Sequence, residues 1–176
     1  MKWLEYIVFS VFRLLRKLRL CELIPVNTST RNFNDIFKGF EKVEAVKGIF
    51  GEDTESVLRN LKIEFLKFGG YMGVDNATGH LLVNPRYLNS GNRTDIYLDV
   101  IHELCHVKQH MEGRELFDSR YYYVDRPTEV EAYRYTVQEA RRLGLSDERI
   151  CDYLKTEWVS EKEFKRLAKA VNVSCR

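Results

Sequence analysis

Residues 94–113 read TDIYLDVIHELCHVKQHMEG, and three of the chain's four histidines, His102, His106 and His110, fall within nine of these positions. Thr94 is a capping-type residue, Asp95 follows it and Gly113 is a stop signal, so the stretch predicts one continuous helix. At about 100° per residue, Val100, Leu104, Val107 and Met111 gather on one side, with Tyr97 and Ile101 beside them. Asp99, His102, Glu103, His106 and His110 gather on the other. Packed through its apolar side, such a helix presents His102 and His106 together, one turn apart, with Glu103 alongside. An H-E-x-x-H segment works in this way: two imidazoles share one ion, and the carboxylate takes a proton from the water at that ion. The competing reading is a solvated helix face, against which stand the apolar flanks IYLDVI and Val107.

His110 lies eight residues beyond His102, about 12 Å along a straight helix. Zinc ligands sit about 2 Å from their ion, so His102, His106 and His110 do not converge, and His110 is expected at the rim. The third ligand is sought in the next helical stretch, TEVEAYRYTVQEA, residues 128–140. Ala132, Tyr133, Thr136, Val137 and Ala140 surround Glu129, whereas Arg134, Gln138, Glu139 and Arg142 surround Glu131. Glu129 is therefore expected to point inward and Glu131 outward, and an inward carboxylate needs a cation. Zn2+ held by His102 and His106 is one candidate; a basic side chain, or the dipole of the helix's first turn, is the other.

HELCH with His110, followed about twenty residues later by EVEAY, resembles the gluzincin class of zinc metallopeptidases, and in particular the small ImmA/IrrE-type and HtpX-type domains. The resemblance covers about residues 55 to 143. It implies a zincin-like fold with His102, His106 and Glu129 as metal ligands, Glu103 as general base and a peptide laid along an edge strand. Tyr133 departs from the pattern, because those families place Asp or Asn there to steady a ligating histidine; Asp99 and Asp125 are the candidates to replace it. A hydrolase of this kind also needs a donor for the developing oxyanion. SRYYYVDR, residues 119–126, offers Arg120, Tyr121, Tyr122 and Tyr123, of which Tyr122 and Tyr123 are taken as the catalytic candidates. Cys105 is expected to be a small buried residue.

Around this centre the pattern is α+β. KIEFLKF and HLLVN are short β-favouring runs separated by the turn-rich GGYMGVDNATG, read as two or three antiparallel strands. GEDTESVLRNL reads as a short capped helix. Helices follow from Pro127, from SDERICDYLKTEW and from SEKEFKRLAKAV, the last with Ser160 and Glu163 in capping-box spacing. The chain is expected to comprise an N-terminal helix and hinge over 1–30 and a single zincin-like domain over 31–176, with a helical extension from about 145 that caps the domain or shields its cleft.

The 176 residues carry 28 basic and 26 acidic side chains, so the bulk charge of +2 selects no partner. Neither a phosphate-binding glycine loop nor an aromatic-basic pattern is present, and no nucleic-acid partner is expected. Cys21, Cys105, Cys151 and Cys175 lie far apart without a C-x-x-C pair, which points to a reducing, cytoplasmic setting with neither a disulfide framework nor a zinc ribbon. The apolar run from Trp3 to Leu15 is broken by Glu5, Ser10 and Arg13 and is too short to span a bilayer. It suits a helix docked on the core, or peripheral membrane contact through residues 3–19. The expected activity is hydrolysis of peptide bonds in a peptide or protein substrate. The alternatives are a non-catalytic, zinc-stabilised interaction scaffold and a regulatory ImmA-like protease with a single protein partner.

Overall fold

The computed structural model describes residues 30–66 and 70–175; the expected N-terminal helix and its membrane contact fall outside them. The described elements run β1 (Arg31–Asn32), α1 (Phe33–Ile36), α2 (Glu44–Phe50), α3 (Thr54–Asn60), β2 (Lys62–Phe65), β3 (Met72–Val74) and β4 (Leu81–Val83). They continue as α4 (Pro85–Ser90), α5 (Arg93–Met111), α6 (Pro127–Arg142), α7 (Asp147–Leu154) and α8 (Glu161–Ala170). The class is α+β, as the succession of strands and helices implied.

The sheet departs from the expected antiparallel arrangement. Its strand order is β1-β2-β4-β3, and β2 and β4 run parallel, with Ile63 opposite Leu81 and Phe65 opposite Val83. Besides the two expected runs the sheet holds β1, antiparallel to β2, and β3, whose residues Met72–Val74 lie within the turn-rich stretch and pair antiparallel with β4. Because β4 inserts between β2 and β3, the chain reverses twice before it returns beside β2, and the two runs legible in the sequence come out parallel. Ile63, Phe65, Val74, Leu81 and Val83 are buried on one face, as a period of two requires. Among the described strands β3 stands at an edge of the sheet.

Helix α5 runs through the centre and is buried along nearly its whole length, not on one face alone. Its cap is Asn92, two residues before the expected Thr94; the Asn92 side chain accepts from the Thr94 and Asp95 amides at 2.9 and 3.3 Å. Gly113, at φ +72°, ends it, its amide N–H donating a hydrogen bond to the His110 carbonyl. Around α5 lie α6, α2 and β3, and the α5–α6 contact is the most extensive in the described fold. Phe33, Phe37 and Phe40 pack their rings against one another and against Tyr97 of α5, 5.2–5.9 Å apart, so the start of the domain belongs to the core.

The C-terminal helices cap the domain with the predicted signals. Ser146 caps α7 and Ser160 with Glu163 forms a complete capping box on α8. Cys151 on α7 and Cys175 are joined by a disulfide, which corrects the expectation that the cysteines stay unpaired: 24 residues apart in sequence, they are brought together by the turn of the chain from α7 through α8. No helix of the described residues is long and apolar enough to cross a membrane.

Candidate metal centre

α5 and α6 cross so that three donor atoms meet between them. His102 Nε2 lies 3.0 Å from His106 Nε2 and 3.2 Å from Glu129 Oε2, and His106 Nε2 lies 3.4 Å from the same carboxylate oxygen. Ligand atoms about 2.0–2.1 Å from a tetrahedral zinc ion are separated from one another by about 3.3–3.4 Å. The three edges fit that triangle, and all three residues are buried, at 5–6% exposure. Glu129 points inward as the helical wheel required. The group could hold a metal ion, and its two nitrogens and one oxygen are one donor fewer than a tetrahedral ion takes.

The protons in this cluster are set by its neighbours. The Gln109 amide nitrogen donates to the Thr128 carbonyl at 3.0 Å and to Glu131 Oε2 at 2.9 Å, so its oxygen faces His106 Nδ1, 2.7 Å away. His106 Nδ1 is then a donor, which leaves Nε2 as the nitrogen turned to the centre, where a metal ion would take its lone pair in place of a proton. Burial raises and the two imidazoles lower the pKa of Glu129, with the imidazoles prevailing, so its carboxyl is held below its usual range, at about 2. Burial works against a charged His106, but Glu129 and Glu103 outweigh it. Burial depresses His102 instead. The carboxylate at the centre is thus ionised, and within the protein the His106 imidazole, raised to about 9, is its counter-charge; a metal ion would take that place.

Gln109 escaped the sequence reading, although it stands three residues from His106 on the same helical face, which is the available signal. Glu131 is not the idle outward residue expected. It binds Gln109 and also Arg114, and so reaches the centre at one remove. Glu139, assigned to a solvated face, is buried beneath Tyr97 and Arg142.

Neither Asp99 nor Asp125 steadies a histidine. Asp99 accepts from Tyr87 at 2.5 Å and Tyr153 at 2.7 Å, and Asp125 is bound by Arg166. His102 Nδ1 is buried without a hydrogen-bond partner among the described residues, and the Tyr133 ring stands edge-on against its imidazole, centroids 4.4 Å apart. Where the resembling families place a hydrogen-bonding Asp or Asn, this chain packs an aromatic ring. His110 sits over the β3–β4 turn, 3.2 Å from the Asn76 carbonyl and outside the cavity described next. A Cβ on Gly79, at φ +71°, would come within 2.7 Å of the His110 ring, which fixes glycine there.

The centre opens on a cavity of about 500 Å³. Glu103 lines it beside His102 and His106, and among the described residues its carboxyl has no hydrogen-bond partner. Burial pushes it up to about 8, against the pull of His106 and with help from Glu129 and Asp99. Tyr123 and Tyr133 also line the wall, their hydroxyls 3.0 Å apart. Tyr122 does not: it is 73% exposed, and the Arg166 guanidinium lies over its ring. Met72, Gly73 and Val74 of the β3 edge form a further part of the wall, and the segment from Asp152 to Trp158 closes it from the C-terminal side. Cys105 is buried and free, its thiol pushed up to about 12 by burial, and stays out of this chemistry. No family model, curated protein or solved structure matches the chain.

Proposed function

We propose that the chain is a zinc-dependent peptidase in which His102, His106 and Glu129 hold the ion and Glu103 is the general base. The observation that carries this reading is the triangle of buried donors, 3.0–3.4 Å on a side, opening at a cavity with an unpartnered carboxyl beside it. Two imidazoles and a carboxylate suit zinc, and three protein ligands with one open position are the arrangement of catalytic rather than structural sites. When bound, the ion supplies a water that loses a proton near neutral pH and an electropositive point for a carbonyl oxygen.

The remaining work falls to side chains. The Glu103 carboxylate accepts the proton of the attacking water and passes it to the amine nitrogen as the C–N bond breaks. Its raised pKa is opposed by a divalent charge nearby, which keeps it ionised for that task. Tyr123 and Tyr133 present hydroxyl donors on the same wall for an oxygen that gains charge. The edge of β3 offers backbone groups to an extended peptide, with Asn84 tying down the approach to it through the Gly70 and Tyr71 carbonyls. Likeness of HELCH and EVEAY to the gluzincins supports the same assignment.

In a full-length Glu103→Gln protein, zinc content should equal that of the wild type while peptide hydrolysis falls by about 10²–10⁴-fold. Undiminished hydrolysis in that variant overturns the assignment. A second reading has an observation of its own: the centre bridges α5 and α6 at near-complete burial, which suits a zinc-stabilised interaction scaffold. For the scaffold, chelation lowers the melting temperature and Glu103→Gln changes nothing further.

A further inference from the structure

Beyond the metal centre, the cavity wall changes character. Tyr71 stacks on Tyr87 with centroids 4.4 Å apart, and Trp158 lies 5.4 Å from Tyr71, so a contiguous aromatic surface joins the segment before β3 to the segment after α7. Acidic groups border it: Asp95, Asp99, Asp152 and Glu157 line the same cavity. Two of these are already engaged, Asp95 by Arg149 and Asp99 by the Tyr87 and Tyr153 hydroxyls. Asp152 has no hydrogen bond or ion pair within the described residues, and Glu157 acts only on Tyr71. Among the described residues Lys155 is the one lysine or arginine on the wall, and its ammonium reaches away, to Glu161 at 3.4 Å and over the Phe164 ring at 5.8 Å.

We infer that this wall is a specificity subsite for a basic side chain of the peptide, resting on the Tyr71 and Trp158 rings with its charge toward Asp152 and Glu157. The inference rests on the peptidase reading for its substrate class. Aromatic faces are electronegative and attract cations, most strongly for tryptophan and for a guanidinium, which also stacks flat. A neutral side chain would cover the rings and leave two carboxylates without a counter-charge. An acidic one would meet Asp152 and Glu157 with no cation among the described residues turned toward it. The rings come from two segments that face one cavity, so the subsite is assembled by the fold rather than by a run of sequence.

The test uses the full chain loaded with zinc and carrying Glu103→Gln, and short end-capped peptides that differ only by Arg, Gln or Glu at one position moved along the sequence. Fluorescence anisotropy reads binding. At the position that meets the subsite, the Arg peptide should bind about tenfold tighter than the Gln peptide, and the Glu peptide most weakly. Asp152→Lys with Glu157→Lys should bring the Arg-to-Gln ratio to about one, whereas Glu55→Lys, a change of like sign on α3, keeps it near ten. Equal affinities at every position, or a ratio that survives the double change, overturn the subsite. Hydrolysis by the wild-type chain is read separately. Arg-selective binding without any cleavage refutes the peptidase and leaves the cation subsite standing; cleavage with no such selectivity does the reverse.

Discussion

Between α5 and α6 buried side chains make the contact and bring polar and charged groups together inside it, at the metal centre and at the Tyr97–Glu139 pair, whereas α7 and α8 add Ile150, Leu154, Phe164 and Leu167 to the core and carry most of their polar ties at the periphery. Arg149 reaches Asp95, Tyr153 reaches Asp99 and Arg166 reaches Asp125. Arg141 binds the Asn172 carbonyl, Asp147 accepts from the Ser174 amide, and the Cys151–Cys175 disulfide closes the end. The difference separates two kinds of dependence. Where charged groups are buried together they need one another or a cation, so their removal alters chemistry. Where they are peripheral, each contributes little alone and the covalent bond contributes most.

The largest effect should follow from breaking the first region at its third donor. Glu129→Ala leaves two imidazoles with no carboxylate, and the chain should lose stoichiometric zinc when assayed by atomic absorption after dialysis. Glu131→Ala should retain it. A smaller loss sharpens the same point one bond further out. Gln109→Ala removes the acceptor that fixes the His106 tautomer, and zinc affinity in a chelator competition should fall by about 10–100-fold, the scale of such supporting contacts. An unchanged affinity would mean that packing alone orients the ring.

In the second region, Cys175→Ser should leave the zinc stoichiometry intact while lowering stability by about 3 kcal/mol, the loop-closure value for a bridge of this span. In a thermal melt that is a shift of about 6–12 °C for a domain of this size. Loss of zinc in this variant would show that the two regions are not independent.

The smallest effect lies where they touch, at Asp99 on α5, which is bound by Tyr153 of α7. Burial lifts its pKa to about 6 from the ordinary 3.8, although the Tyr87 and Tyr153 hydroxyls pull it down. Between these values the folded chain holds a proton that the unfolded chain has released. Stability is therefore fullest below the lower value and falls as pH rises through the window. Asp99→Asn should flatten that slope in denaturant titrations from pH 4 to 6, and an unaltered slope would contradict the burial argument.

The sequence made the first region legible because its information is local. One turn separates His102 from His106, and the small and apolar neighbours of Glu129 on the wheel reveal its direction. Gln109 was within reach of the same reasoning. What stayed hidden depends on partners distant along the chain. Asp99 finds two tyrosines, Glu139 finds Tyr97 from 42 residues away, and Cys151 finds Cys175. The parallel pairing of β2 with β4 was hidden for another reason: a three-residue strand containing Gly73 carries too little pattern to stand out among turn formers.

All of this depends on one ion being shared by donors from α5 and α6. Anomalous scattering at the zinc edge, measured on crystals of the full chain grown with zinc, tests that point most directly. The account predicts one peak per chain, within about 2 Å of His102 Nε2, His106 Nε2 and Glu129 Oε2 together. A peak elsewhere, or none with these three side chains turned apart, would contradict it.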